Sequence, residues 1–199
     1  LARKQLLVES EQNYELVFID DSENQKVVNG HQVYSFEAFL KLEAADKYVA
    51  IAIANNCIRK KLVQKVDLYN LKHWSVKAST TIFMDDVQIG EGGIFCNYVH
   101  LTSNIKIGKF FHANYFSYIA HDCVIGDYVT FAPGVKCNGN IHIEDHAYIG
   151  TGAVIKQGTP SKPLVIGKGA VVGMGAVVTK SVPAGVTVIG NPARILEIK

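Results

Sequence analysis

An apolar residue recurs at every sixth position through the middle of this 199-residue chain. Twelve consecutive positions with this spacing are apolar: Ile89, Phe95, Leu101, Ile107, Ala113, Ile119, Ile125, Phe131, Cys137, Ile143, Ile149 and Ile155. With 48% of the chain hydrophobic, chance would produce such a run roughly once in several thousand phases. Internal repetition of this kind is typical of coiled, stacked architectures.

The residues four positions further on form a second column without any charge: Gly93, Val99, Ile105, Phe111, Ser117, Cys123, Val129, Val135, Ile141, Ala147 and Ala153. Two-residue alternation places both columns on the same face of their strands. We therefore expect both columns to point inward.

The repeat also has a longer period of three hexapeptides. The segments IGEGG, IGKFF, IGDYV and IEDHA begin at Ile89, Ile107, Ile125 and Ile143, 18 residues apart. One coil is thus predicted to contain three short strands and three tight corners, at which Gly, Asn or Asp can adopt φ > 0. A sandwich is not expected to keep a six-residue period for so long, so residues 76–199 are predicted to form a parallel β-helix.

After Ile155 the phase slips by five residues through QGTPSKPL and then resumes at Ile166, Val172 and Val178. Such a slip predicts a loop that is extruded from one corner of the helix.

Residues 1–75 follow a different pattern, which predicts a small Rossmann-like α/β domain. Leu16–Ile19 and Tyr48–Ala54 are continuous apolar runs, as in parallel strands buried on both faces. Phe36–Leu42 has helical spacing, and a second helix is expected after Asn55 and Asn56, with Ile58, Leu62, Val63 and Val66 as its apolar stripe. Leu1–Val8 is predicted to belong to an amphipathic helix, and Leu68–Trp74 to a last strand.

Composition excludes several classes of protein. Twenty basic residues balance eighteen acidic ones, and no basic stripe with interleaved aromatics is present, so we expect no nucleic-acid partner. No apolar run approaches the roughly 20 residues of a membrane-spanning helix. Cys57, Cys96, Cys123 and Cys137 lack C-x-x-C spacing, which favours reduced thiols and a cytoplasmic location.

The coils and the closing segment GAVVGMGAVVTKSVPAGVTVIGNPAR resemble the left-handed β-helix of hexapeptide acyltransferases. Ile51–Leu62 (IAIANNCIRKKL) and His121–Ile143 (HDCVIGDYVTFAPGVKCNGNIHI) are similar, more narrowly, to the sialic acid O-acetyltransferase-like (NeuD/PglD-type) family. The resemblance implies a left-handed helix, acetyl-CoA as co-substrate, and a homotrimer with active sites between subunits. The family's opening strand and GAxGxG turn are absent here, so we expect residues to precede Leu1.

The resemblance also implies a catalytic site. It assigns His121, at a corner of the second coil, as the general base that deprotonates an amine, because a histidine is mostly unprotonated at neutral pH. Asp122, where the family more often has Glu, is expected to stabilise the imidazolium. Asn114 matches a sugar-facing position, and Thr130 stands where bacillosamine enzymes can carry a second histidine.

Further positions match family contacts with ligands. Those for acetyl-CoA are Gly139, His142, Thr151 and Gly173. Asp20 and Asp21 follow the strand LVFI, where Rossmann-like sheets read nucleotides, and the family uses this pair for the uridine end. Ala54 is expected to contribute its backbone amide, and Asn55 and Arg59 are candidate ligand contacts or else helix-cap and surface residues.

The resulting hypothesis is an N-acetyltransferase that modifies the 4-amino group of a UDP-4-amino-4,6-dideoxy-N-acetyl sugar in bacterial glycan biosynthesis. O-acetylation of a sialic acid-type sugar and N-acetylation of a GDP-perosamine-type sugar are alternatives, and a sugar-binding β-helix scaffold is the non-enzymatic one. No metal site is predicted, because His100, His112 and His121 lack a zinc-binding motif.

Overall fold

A computed structural model describes residues 1–9, 14–22 and 26–197 of the chain. The chain divides into two compact units, Ala2–Lys47 and Tyr48–Lys199, with Leu1 grouped with the second. The change of sequence pattern near Ser75 therefore lies inside the second unit, and the domain boundary placed there stays a prediction. None of the described helices is long and apolar enough to cross a membrane.

Over residues 2–9, 14–22 and 26–47, the first unit contains two helices and a three-stranded sheet. Its elements are α1 (Ala2–Glu9), β1 (Phe18–Ile19), β2 (Val27–Val28), β3 (His31–Tyr34) and α2 (Phe36–Leu40). The helices at both predicted places are present. Strand β1 pairs in parallel with β3, while β2 and β3 form an antiparallel hairpin that the sequence analysis missed. Asn29 and Gly30 form its turn with φ of 50° and 77°, the conformation that Asn-Gly favours in two-residue hairpins.

The second unit begins with a short α/β segment: β4 (Tyr48–Val49), α3 (Asn56–Leu68) and β5 (Lys72–His73). β4 and β5 pair in parallel. The helix starts where Asn55 was expected to cap it, since the Asn55 Oδ1 accepts a hydrogen bond from the Ile58 amide at 3.0 Å. The strand expected over Tyr48–Ala54 covers only its first two residues, and α3 extends into the start of the strand expected over Leu68–Trp74.

The remaining strands form three parallel sheets, which are the faces of a β-helix. The first face contains β6 (Val76–Lys77), β9 (Ile94–Phe95), β12 (His112–Ala113), β15 (Thr130–Phe131), β18 (Tyr148–Ile149), β21 (Val171–Val172), β23 (Thr187–Ile189) and the antiparallel β24 (Arg194–Ile195). The second contains β7 (Ile82–Phe83), β10 (His100–Leu101), β13 (Tyr118–Ile119), β16 (Lys136–Cys137), β19 (Val154–Ile155) and β22 (Val177–Val178). The third contains β8 (Val87–Ile89), β11 (Ile105–Ile107), β14 (Val124–Ile125), β17 (Ile141–Ile143) and β20 (Leu164–Ile166).

The register confirms the predicted coil of 18 residues. Val124 pairs with His142, 18 positions on, whereas Ile141 pairs with Leu164, 23 positions on. The five additional residues form the predicted extruded loop, which Thr159 and Lys162 close through two backbone hydrogen bonds.

The two apolar columns fill the inside of the helix, as predicted. First-column residues from Phe95 to Ile155 are at most 5% exposed, and second-column residues from Val99 to Ala153 at most 1%. All four cysteines are free thiols, and Cys96, Cys123 and Cys137 are buried in the coils. Because every coil buries the same two apolar columns, we expect a functional site on the surface of the β-helix and not in its interior.

The corners between successive faces carry the residues with positive φ. Each corner is numbered after the face that precedes it along the chain. The first corner thus follows the first face, the second corner follows the second face, and the third corner follows the third face and leads back to the first. Asn and Asp occupy the second corner, as expected, but aromatic residues adopt φ > 0 at the other two: Tyr98, Phe110, Phe116 and Tyr128. At the third corner the Phe110, Tyr128 and His146 rings stack at 5.3 and 5.0 Å, which offsets the strain of this conformation.

Candidate active site

His121 lies at the second corner, between β13 and β14, with its side chain half-exposed. Counted from β6 this is the third coil, one later than expected. Its Nδ1 lies 2.7 Å from the Oδ2 of Asp122. If the Nδ1–H group donates a hydrogen bond to this carboxylate, Nε2 carries a lone pair and can accept a proton from a substrate.

The Asp122 carboxylate is held by two neighbours. Besides His121, the Nδ2 of Asn104 donates a hydrogen bond to its Oδ1 at 3.1 Å. The bond to His121 and then the bond to Asn104 lower the pKa of Asp122 below its usual value. Asp122 is therefore charged at neutral pH and can accept a hydrogen bond from the Nδ1–H of His121.

Gly139 lies next to the imidazole of His121, one coil further on. A Cβ at Gly139 would lie 2.5 Å from the Nε2 of His121 and 2.6 Å from its Cε1. Gly139 is not among the glycines with positive φ, so its backbone does not require glycine. The space is instead occupied by the imidazole.

His142 lies in the middle of β17, on the outside of the third face. A shallow cavity of about 390 Å³ is found here, lined by Val124, Gly126, His142, Ile143, Glu144, Asp145, Val165 and Lys168. A larger one, about 640 Å³, lies at the end of α3 and β5 and is lined by none of the predicted site residues.

Asn114, Thr151 and Gly173 lie at the first corner. Asn114 follows β12, and its Nδ2 donates to the Phe131 carbonyl at 2.8 Å. Thr151 is exposed, and its carbonyl accepts the Gly175 amide. A Cβ at Gly173 would lie 2.7 Å from the Cγ2 of Ile189.

Five of the predicted residues thus lie at the two ends of the second face: His121, Asp122 and Gly139 at the second corner, and Asn114 and Thr151 at the first corner, with Gly173 one coil beyond Thr151. Asn114 and His121 are seven positions apart, which spans at most about 23 Å of extended chain. His121, Asp122 and Gly139 are in contact, whereas the structure shows no bond from them to Asn114, Thr151 or Gly173 among the residues it describes.

Asp20 and Asp21 lie in the first unit, directly after β1, and both accept local hydrogen bonds. Asp20 Oδ1 accepts from the amide and the hydroxyl of Ser22, at 2.9 and 2.7 Å. Asp21 Oδ1 accepts from the Phe36 amide at the start of α2, at 2.8 Å. These bonds order the turn after the strand, where the nucleotide was expected.

Ala54 and Asn55 are exposed residues before α3. The carbonyl of Ala54, rather than its amide, is engaged: it accepts from the Arg59 Nη1 and from the Thr130 Oγ1, both at 3.1 Å. Asn55 caps the helix through its side chain. Thr130 is buried in this contact, so its side chain is occupied by α3.

Arg59 is fully buried, which contradicts its interpretation as a possible surface residue. Its guanidinium donates to the carbonyls of Ile53 and Tyr128 at 2.8 and 2.6 Å, and to the Thr130 Oγ1 at 3.0 Å. Burial lowers its pKa to about 10, and the charge of Tyr128 opposes this shift. Arg59 therefore joins α3 to the third corner of the β-helix.

The other histidines considered as metal ligands do not converge. His112 is buried, with its Nδ1 3.4 Å from the Arg59 Nη1. Burial, and then the charge of Arg59, lower its pKa to about 3. Within residues 1–9, 14–22 and 26–197, no three His, Cys, Asp or Glu residues are grouped so as to hold a metal ion.

Sequence reasoning missed Asn104 and Gly139 as neighbours of His121. The 18-residue period contained the signal, because Asn104 is one coil before Asp122 and Gly139 one coil after His121. Residues one period apart stack directly along a β-helix.

Comparisons with known proteins show what the chain is similar to. A family model described as the PglD N-terminal domain matches residues 5–66. The chain is 53% identical to GDP-perosamine N-acetyltransferase from Escherichia coli O157:H7, over 98% of the chain and 88% of that protein.

Solved structures are similar over the same length. WeeI from Acinetobacter baumannii AYE is 63% identical with a TM-score of 0.94, and the match covers 98% of this chain and 92% of that one. The acetyltransferase domain of PglB from Neisseria gonorrhoeae FA1090, in complex with acetyl coenzyme A, is 27% identical with a TM-score of 0.81, over 92% and 86%. These likenesses confirm the left-handed β-helix preceded by an α/β region.

Proposed function

This chain belongs to the sialic acid O-acetyltransferase-like, NeuD/PglD-type family of hexapeptide acyltransferases, and from that premise we propose that it transfers an acetyl group from acetyl-CoA to the 4-amino group of GDP-perosamine. It is an acetyltransferase whose acceptor is the amino group of a nucleotide-activated sugar. The sugar-binding scaffold is therefore not adopted.

The choice of a GDP sugar rests on one observation. The relative that is 53% identical over nearly the whole chain is named a GDP-perosamine N-acetyltransferase, and this supports the alternative above the UDP sugar that was expected first. The UDP-4-amino-4,6-dideoxy sugar remains the second candidate, because the segments Ile51–Leu62 and His121–Ile143 resemble the NeuD/PglD-type family.

His121 is the proposed general base. The neutral amine attacks the thioester carbonyl, a C–N bond forms, and the Nε2 of His121 accepts the proton that the nitrogen loses. The C–S bond then breaks, and the sulfur leaves and takes up this proton, giving the N-acetyl sugar and free CoA. A positioned base of this kind contributes about 10²–10⁴ in rate.

Asp122 assists this step from the other side of the ring. Its carboxylate accepts from Nδ1 at 2.7 Å, so it stabilises the imidazolium that forms when Nε2 takes the proton. The Asp122 side chain is one methylene shorter than the Glu that the family more often has here, and it still reaches Nδ1.

Gly139, His142, Thr151 and Gly173 are the proposed contacts for acetyl-CoA, and Asn114 for the sugar. Because Gly139 lies at the second corner and Asn114, Thr151 and Gly173 lie at the first corner of one protomer, we propose that the active site lies between subunits of a homotrimer. Each site then combines the second corner of one protomer with the first corner of its partner.

In the first unit, Asp20 and Asp21 in the turn after β1 are the proposed contacts for the nucleotide end of the acceptor. In the second unit, Ala54 and Asn55 before α3 are separately proposed contacts for the acceptor. The hydrogen bonds of each segment support its own assignment by ordering that segment before a ligand arrives.

The test measures release of free CoA from acetyl-CoA with GDP-perosamine, with UDP- and dTDP-4-amino-4,6-dideoxy sugars, and with a sialic acid. We expect the largest kcat/KM with GDP-perosamine and a loss of at least about two orders of magnitude in His121→Ala. The matched control is Asp85→Ala, which changes the same corner column two coils earlier and should retain activity.

A higher kcat/KM with the UDP sugar would replace GDP-perosamine by the second candidate. Full turnover by His121→Ala would remove His121 from its role, and release of CoA with none of the acceptors would refute the proposed function.

A further inference from the structure

At the second corner, three successive coils bring Asn104, Asp122 and Gly139 into line with His121. Asn104 lies one coil before Asp122, and Gly139 one coil after His121. Asn104 bonds to Asp122, Asp122 bonds to His121, and the ring of His121 fills the space beside Gly139.

Two of the bonds fix the orientation of one carboxylate. Asp122 Oδ2 faces the His121 Nδ1 and Oδ1 faces the Asn104 Nδ2. His121 and Asp122 are 47% and 44% exposed, so water competes for each bond and a single contact would leave the carboxylate free to rotate. The Asn104 amide occupies the second oxygen and leaves the first for the imidazole.

The absence of a side chain at Gly139 leaves the space that the imidazole ring of His121 occupies. The atoms nearest to an added Cβ are Nε2, Cε1 and Cδ2 of His121, at 2.5, 2.6 and 3.0 Å. All three belong to the end of a side chain, so a methyl group here would turn the imidazole without displacing backbone.

The backbone supports both contacts. The Asp122 amide donates to the Ser103 carbonyl at 3.1 Å, and the Asn140 amide donates to the His121 carbonyl at 3.0 Å. The three coils are therefore tied together at this corner, and their side chains keep a fixed register.

We propose that Asn104 and Gly139 are positioning residues for the base: Asn104 holds Asp122 towards the Nδ1 of His121, and the missing side chain of Gly139 lets Nε2 take up its reactive position. This role of Gly139 is additional to its proposed contact with acetyl-CoA. The inference rests on the proposed function in so far as His121 acts as the base.

Kinetics of three single variants test the proposal. Asn104 has a φ of 60°, so Asn104→Gly removes the amide without strain, and the matched control is Asp86→Gly, one coil earlier with a φ of 51°. We expect kcat to fall about three- to tenfold in Asn104→Gly and about 10- to 100-fold in Gly139→Ala. KM for acetyl-CoA should change less than about twofold in Asn104→Gly, and Asp86→Gly should match the wild type.

Double variants separate positioning from other effects. In the His121→Ala background, Asn104→Gly and Gly139→Ala should cause no further loss, because both act through the imidazole. Additive losses in that background, or a raised KM for acetyl-CoA with unchanged kcat in Asn104→Gly, would overturn the proposal.

A measurement without substrate keeps the inference apart from the proposed function. Two-bond ¹H–¹⁵N correlation spectra report the tautomer of each histidine, and the His121 signal is the one lost in His121→Ala. We expect the Nδ1–H form in the wild type, a mixture of tautomers in Asn104→Gly, and a shifted signal in Gly139→Ala. An unchanged His121 signal in both variants overturns the inference, whereas an inactive wild type with the expected spectra refutes the proposed function alone.

Discussion

At the scale of single residues, His121 and His112 have opposite properties although they lie only nine positions apart. His121 is half-exposed beside a carboxylate, whereas His112 is 5% exposed beside the guanidinium of Arg59. Sequence alone does not separate them, because the difference lies in what packs against each ring. The Asp that follows His121 is the one local difference in sequence that favours His121, and its role as the base stays a prediction.

The surroundings of His112 predict a dependence of stability on pH. Its pKa is lowered from 6.5 to about 3 in the folded chain, so the unfolded state binds a proton that the folded state excludes between these values. Folding stability should therefore fall as pH decreases from about 6.5, by about 1.4 kcal/mol per pH unit from this residue. We expect His112→Gln, which cannot titrate, to show a shallower fall.

Urea denaturation of the two proteins at several values between pH 7 and pH 4 measures this difference. Parallel curves for wild type and His112→Gln would show that His112 is protonated in the folded chain.

At the scale of elements, the sequence predicted the start of α3 and most of the side that it buries. Asn55 caps the helix as expected, and Val63 and Val66 of the predicted stripe are buried, whereas Ile58 is 49% exposed. Arg59 is buried in place of Ile58, and Arg59, Val63 and Val66 follow i, i+4, i+7 spacing. Arg59 was not assigned to the stripe because an arginine is rarely found in a core unless its charge is satisfied, and the partners of Arg59 include residues of distant coils.

Arg59 is expected to be essential for the docking of α3 on the third corner. Its two terminal nitrogens donate to carbonyls on both sides of the contact, at Ile53 and Ala54 and at Tyr128. A lysine cannot reproduce this fork, so Arg59→Lys leaves buried acceptors unsatisfied and should cost on the order of 2–3 kcal/mol of unfolding free energy.

The control for that variant is Lys60→Arg, since Lys60 is an exposed neighbour on the same helix. Thermal or urea unfolding followed by circular dichroism measures both, and equal stability of Arg59→Lys and wild type would contradict the role given to Arg59.

Short elements were predicted less well than long ones, for identifiable reasons. The hairpin of β2 and β3 carries the Asn29–Gly30 turn signal, but its strands are only two and four residues long. The aromatic residues with positive φ at Phe110 and Tyr128 were not foreseen, because stacking between coils stabilises them. Both features depend on contacts that local propensity does not describe.

At the scale of the whole molecule, the β-helix was predictable because every coil repeats the same packing. One column at a six-residue spacing, with its companion four residues on, determined the inside of the helix. The site was less predictable: its residues matched a family, but their distribution over two corners follows from the register of coils. That distribution leaves Asn114 and His121 at opposite ends of one face.

Two corners of one chain can form one site only if a second copy supplies the other half, and this predicts complementation between inactive variants. In the proposed homotrimer, His121→Ala removes the base from the second corner and Asn114→Ala removes the sugar contact from the first. An Asn114→Ala chain still carries His121, and a His121→Ala chain still carries Asn114. A site between these two chains is therefore intact when the first supplies the second corner and the other supplies the first corner.

When the two variants are unfolded together in equal amounts and refolded, about a quarter of the sites should combine both intact corners. Release of CoA should then recover to about that fraction of wild-type activity, whereas the variants refolded separately and mixed afterwards should stay inactive. The double variant carrying both substitutions, refolded with wild-type chains, controls for dilution. Recovery no greater than the sum of the separate variants would mean that each site is formed within one protomer, and the shared groove would have to be abandoned.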